Sequence, residues 1–217
     1  MKILIVSGFM GAGKTTFIKR LARNVDQRFA ILENEYGAAG IDGARLGQNR
    51  QGTQKNVWEM TEQCICCIGK KDFAASVLTI ANVVDPEYLI VEPTGVGSLA
   101  RIIENLRQIE YERIQLLSPV TIVDVYSYRR YMAEYPELYQ DQIRSADTII
   151  VSKTEACQAE EKQRIQKFLQ EINPQAKIIT DYASTMTRED YQSLLLVGRY
   201  EKEVQDTQIG ELMPETF

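Results

Sequence analysis

The chain contains no histidine. Imidazole is therefore excluded as general base, proton shuttle or metal ligand, and any such chemistry must rest on thiols, carboxylates, hydroxyls and amines. Tryptophan is nearly as scarce, with Trp58 alone. No apolar run approaches the ~20 residues that a membrane-spanning helix needs. The first residues already read as a strand, so no signal peptide is expected. Positive charge is not in excess either: 25 Lys and Arg against 30 Asp and Glu give a net −5, unlike a basic nucleic-acid binder. The expectation is a cytoplasmic protein with no nucleic-acid or membrane partner.

Cysteine is also sparse, but its distribution is not random. Three of the four cysteines are Cys64, Cys66 and Cys67, with Cys157 apart. That spacing is poor for a disulfide framework and good for metal or redox chemistry. Thiolates suit Zn2+, Cu(I) and related ions, and three within four residues converge only if the backbone turns, which Gly69 permits nearby. With no histidine and no second cysteine pair, the site would be open and completed by a carboxylate such as Glu35, by water or by another subunit. The competing reading is a set of small buried hydrophobes.

What the sequence does have is a phosphate-binding motif in its proper setting. Lys2 to Val6 is a short apolar, β-branched run; Gly8-Phe9-Met10-Gly11-Ala12-Gly13-Lys14-Thr15-Thr16 follows; and Thr16 to Arg23 carries Phe17, Ile18 and Leu21 on one helical face. Strand, Gly-x4-Gly-Lys-Thr and helix is the order a phosphate loop requires. Gly8, Gly11, Ala12, Gly13 and Thr16 supply backbone, Lys14 is expected at the β- and γ-phosphates, and the Thr15 hydroxyl at Mg2+.

Strand-like runs recur at 28–33, 56–60, 87–92, 119–124, 147–152 and 176–180. Helical periodicity marks 70–84, 98–109 and 159–172, a tyrosine-rich stretch over 125–144 broken near Pro136, and a helix announced by Thr187 with Asp190 three residues on. The tyrosines at 126, 128, 131, 135 and 139 read as amphipathic packing or a partner surface. This alternation predicts an α/β fold, a P-loop NTPase three-layer arrangement with a mostly parallel central sheet covered by helices on both faces. One domain over 1–197 and a polar, acidic, poorly ordered tail over 198–217 are expected.

Ligands of such sheets sit beyond the carboxyl ends of strands, and further motifs fall there. Glu92 closes an apolar strand before Pro93-Thr94-Gly95; it is placed to hold Mg2+, directly or through water, or to orient an attacking water, with strand-end capping as the bland alternative. Glu33, Asn34, Glu35 and Asp42 line a glycine-rich loop over 34–43 that suits a nucleotide-dependent switch, with Asp42 a further candidate at Mg2+. Ser152-Lys153-Thr154-Glu155 lies where GTPases place Asn-Lys-x-Asp. A Glu155 carboxylate can accept from both guanine donors, while Lys153 packs its stem on the base. GTP is favoured, with ATP as the alternative.

Together these residues resemble the CobW-type GTPases, the metal-handling P-loop group that includes HypB and UreG. The likeness rests on Gly8 to Thr15, Asn34-Glu35-Tyr36-Gly37 with Gly40-Ile41-Asp42, Cys64-Ile65-Cys66-Cys67, Glu92-Pro93-Thr94-Gly95, and Asn173-Pro174 with Ala176. The resemblance implies GTP hydrolysis coupled to delivery of a transition metal such as Zn2+ or Co2+ to a client metalloenzyme or cofactor-assembly protein, and catalysis resting mostly on positioning and charge stabilisation would be slow without a partner. A homodimer is compatible with it. Lys14 and Glu92 are the expected catalytic residues, and Cys64, Cys66, Cys67 and Glu35 the expected cargo ligands. The chain departs from the pattern at Ala38, where many relatives are acidic, at Ser152 and Glu155, and in ending soon after the nucleotide domain. The rival readings are a small-molecule P-loop kinase or ATPase with structural cysteines, and a non-enzymatic metal or redox sensor that binds nucleotide.

Overall fold

The structure, a computed structural model, describes residues 1–27, 29–33, 57–61 and 70–196. The expected switch loop with Glu35 and Asp42, the polar stretch over 47–56, the Cys64, Cys66 and Cys67 motif and the tail over 198–217 lie outside the described residues.

The elements follow the hydrophobic pattern closely. They are β1 (Lys2–Gly8), α1 (Lys14–Asn24), β2 (Phe29–Glu33), β3 (Val57–Thr61), α2 (Lys70–Val83), β4 (Tyr88–Glu92), α3 (Leu99–Arg107), β5 (Gln115–Leu116) and β6 (Val120–Asp124). Then come α4 (Tyr128–Glu134), α5 (Pro136–Arg144), β7 (Thr148–Ser152), α6 (Ala159–Ile172), β8 (Lys177–Ile179), α7 (Tyr182–Thr185) and α8 (Arg188–Leu196). The tyrosine-rich stretch divides where Pro136, at the first position of α5, cannot supply an N–H to a continuing helix. Thr187 and Asp190 cap α8 reciprocally, with Thr187 N–H to Asp190 Oδ2 at 2.8 Å and Asp190 N–H to Thr187 Oγ1 at 3.3 Å.

Among the described residues the strands run in the order β3-β2-β4-β1-β6-β7-β8, with β5 beside the start of β1. Every ladder between these strands is parallel. Alternation along β1 sends Leu4 and Val6 to one face, against Phe17, Leu21, Tyr182, Tyr191 and Leu194 of α1, α7 and α8. Ile3 and Ile5 go to the other, against Val77 and Ile80 of α2 and Leu99, Ile102 and Leu106 of α3. Helices α4, α5 and α6 extend that second layer over Val123, Ile149 and Val151. Burial on both faces explains why these strands are almost wholly apolar until their last residue. No helix of the described residues is long and apolar enough to cross a membrane.

Candidate functional site: a phosphate loop and the strand ends around it

Because the ladders are parallel, the carboxyl ends of β1, β4, β6 and β7 converge on one edge, and β1 lies centrally between β4 and β6. The loop from β1 to α1 therefore rises at the middle of that edge. Gly8, Gly11 and Gly13 take φ of 143°, 69° and 98°, which only glycine adopts freely. Gly13 is the N-cap of α1, and a glycine has no side chain with which to occupy the first N–H groups of the helix; these remain suited to an anion. Lys14 folds back over the loop, its Nζ donating to Gly8 O at 2.9 Å and Phe9 O at 3.3 Å. Thr16 is exposed on the first turn of α1.

Glu92, at the end of β4, meets this loop. Thr15 Oγ1 donates to its carboxylate, at 3.1 Å from Oε1 and 3.3 Å from Oε2. The hydroxyl and carboxylate expected at Mg2+ thus stand side by side, although 77 residues separate them in sequence. Glu33 ends β2 at the register position beside Glu92.

The motif after β7 divides its labour. Ser152 is buried and turned inward: its Oγ donates to Ala12 O at 2.5 Å, tying this strand end to the phosphate loop. Lys153, at φ 60°, reaches sideways to Asp124 at the end of β6, with Nζ 2.8 Å from Oδ2. Burial pushes the Asp124 carboxyl up, but hydrogen bonds from Lys153, the Tyr126 N–H and Ser127 outweigh it and hold it below the ordinary carboxylate value. Glu155 is exposed beyond the strand. Thr154 Oγ1 donates to Thr180 O at 2.8 Å, fastening the loops after β7 and β8 to each other, and Arg20 of α1 donates to Ala183 O of α7 at 3.0 Å.

Sequence reading marks neither Asp124 nor Gln142 at this site, and takes Tyr131 only as packing or a partner surface. Asp124 ends an apolar run as Glu92 does, and that shared position was a usable signal. Tyr131 donates from its hydroxyl to Met10 O at 3.0 Å, and its ring lies 4.6 Å from that of Phe9. Gln142 contacts the turn after Glu92. Nothing in local spacing marks either. Of the five tyrosines read as packing or a partner surface, Tyr128 and Tyr139 are buried, and Tyr126 and Tyr135 are exposed.

A glycine-lined strand–loop–helix at the centre of a parallel sheet, with Lys14, Thr15 and a strand-end carboxylate around it, defines a P-loop nucleotide-binding protein. Residues 2–180 match the family described as CobW/HypB/UreG, nucleotide-binding domain, and the chain belongs to it. It is 30% identical over 178 residues to the zinc chaperone YeiR of Escherichia coli, an alignment covering 81% of this chain and 53% of that protein. It is 27% identical over 194 residues to the zinc chaperone CobW of Pseudomonas aeruginosa, covering 76% and 52%. The chain thus spans about half the length of these curated relatives. In fold it resembles the Zn(II)-bound YjiA GTPase of E. coli, with a TM-score of 0.62 at 20% identity over 86% of this chain and 58% of that one. It also resembles HypB of Helicobacter pylori in complex with nickel, with a TM-score of 0.56 at 18% identity over 89% and 81%.

Proposed function

We propose that this chain is the nucleotide-binding part of a GTP-hydrolysing metallochaperone or metal-insertion protein. The observation that carries the nucleotide half is the meeting of Thr15 with Glu92 beside Lys14. The zinc half rests on relatives described as zinc chaperones and on the thiol cluster of this sequence.

The residues follow a division of roles. Loop N–H groups, the α1 terminus and Lys14 hold the β- and γ-phosphates, and Lys14 carries the fixed positive charge against which negative charge develops during transfer. Thr15 and Glu92 are hard oxygen donors of the kind Mg2+ takes, and they are its proposed holders, with Asp42. Bound there, Mg2+ would neutralise charge shared between the β- and γ-phosphates. Glu92 also stands where a carboxylate orients a water. Glu155, exposed past β7, accepts from the guanine donors, while Ser152 acts on the phosphate loop through Ala12. Cys64, Cys66 and Cys67, with Glu35, carry the metal as cargo, taking Zn2+, Co2+ or a similar ion to a client protein. Catalysis built chiefly on positioning is slow until a partner completes it.

The test pairs two measurements on the wild-type chain. Phosphate release is followed with GTP and with ATP, and Zn2+ affinity is followed by competition with a chromogenic chelator. Turnover preferring GTP is expected, since guanine offers two donors to the Glu155 carboxylate and adenine does not. One Zn2+ lost on replacing Cys64 and Cys66 by serine is expected as well. Equal use of ATP favours the kinase reading. No phosphate release favours a nucleotide-binding sensor.

A further inference from the structure

Helix α5 is packed against the turn that follows Glu92, and two consecutive side chains of the helix hold it. Gln142 is 1% exposed, and its Nε2 donates to Gly95 O at 3.2 Å and Gly97 O at 2.9 Å. Asp141 Oδ2 accepts from Leu99 N–H at 2.7 Å and Ala100 N–H at 3.4 Å, at the start of α3. The segment between Glu92 and α3 is itself a tight turn, closed by Gly97 N–H to Thr94 O at 3.0 Å. One amide group therefore satisfies two carbonyls of the same turn.

The other side of that turn is the phosphate loop. A Cβ on Gly95 would stand 2.4 Å from Met10 N and 2.8 Å from Phe9 C, so backbone lies on backbone with no side chain between. Gln142 holds the turn by two of its carbonyls, and Phe9–Met10 lies directly against Gly95 of the same turn. Helix α4 closes the circuit through Tyr131 and Met10 O. Gln142 is otherwise a poor choice for this place. Its Oε1 is buried without a hydrogen-bond partner among the described residues, a cost that an apolar side chain would avoid.

We propose that Gln142 is a positioning residue for the nucleotide site: by holding the Gly95 and Gly97 carbonyls it seats the turn on the phosphate loop and so sets Glu92 against Thr15. It touches neither nucleotide nor metal. Its effect passes through Gly95 to Met10, and through Pro93 and Thr94, the two residues that separate Glu92 from Gly95. The inference rests on the nucleotide reading above.

Gln142→Met tests it, since methionine keeps the length and burial, removes both donors and also removes the orphaned acceptor. Phosphate release from GTP and the affinities of a fluorescent GTP analogue and GDP are measured beside wild type. Asn173→Ala serves as the stability control. Asn173 Nδ2 donates to Ile143 O and Ala146 O at 2.8 Å, so its loss loosens the end of the same helix without touching the turn. The expected result for Gln142→Met is a kcat lower by ~10-fold or more and a similar loss of GTP-analogue affinity, with GDP affinity within about twofold of wild type. Asn173→Ala should lower the melting temperature and leave the ratio of analogue to GDP affinity unchanged. If Gln142→Met does not fold, Gly95→Ala makes the same test from the other side of the joint and should reproduce the split. A folded variant at either position with wild-type kcat and ratio overturns the positioning role. A wild-type chain that binds neither GTP nor GDP overturns the nucleotide reading itself.

Discussion

Lys14 is 9% exposed, low for a lysine, and its ammonium group is held by two carbonyls of its own loop. Each charge-assisted bond is worth roughly 1.5–3 kcal/mol, so when such bonds are made to phosphate oxygens their loss is decisive. Lys14→Ala should weaken GTP binding by ~10²-fold or more in a fluorescent-nucleotide titration while circular dichroism remains that of the wild type. Glu92→Gln is a subtler change. The amide oxygen still accepts from Thr15, so the contact between strand end and loop persists, but the negative charge is gone. Turnover should fall by ~10²-fold and half-maximal activity should require more Mg2+, with affinity for nucleotide in the absence of Mg2+ unchanged. A kcat equal to wild type at saturating Mg2+ would remove Glu92 from the chemistry and leave it only a metal-site role.

The ends of β6 and β7 form a unit through Asp124 and Lys153, and that unit has a pH signature. Because the folded Asp124 carboxyl is held below its ordinary value, its contribution is fully present above an unfolded pKa of roughly 3.9 and is lost as pH falls through the folded value. Urea midpoints should drop on acidification through that range, and Asp124→Asn should flatten the dependence; equal slopes in the two proteins would discount the pair. The elements carrying these groups were largely legible beforehand. Helix α6 ends where its apolar spacing ends, and β4, β6 and β7 each stop at the polar residue that closes an apolar run. Strand β5, two residues long, and α7, four, are too short to show a period. The contacts of Ser152 and Tyr131 were invisible for a different reason. Their partners lie 140 and 121 residues away, and only the packed sheet brings them to one loop.

At the scale of the whole chain, the proposed cargo motif falls in sequence between β3 and α2, flanked by the strands that end at Glu33 and Glu92. Both of those strand ends border the phosphate loop edge of the sheet. Nucleotide and metal should therefore be linked. A coupling of ~1–3 kcal/mol predicts a ~5- to 150-fold difference in Zn2+ affinity between the GTP-analogue and GDP forms, with the reciprocal change in nucleotide affinity. Chelator competition in both forms measures it, and equal affinities would make a partner protein necessary for metal transfer.

The place of β1 in the sheet has a consequence for how the chain reaches its fold. Lys2 pairs with Tyr88 and Val6 with Val120, so β1 is made well before either of its neighbours, β4 and β6. Until then Ile3, Leu4, Ile5 and Val6, all fully enclosed at the end, stay in water. Parallel sheets assembled from such distant partners fold slowly and are prone to aggregate while they wait. Refolding from denaturant should accordingly be slow, with the phosphate loop, strung between β1 and α1, among the last segments to acquire its shape.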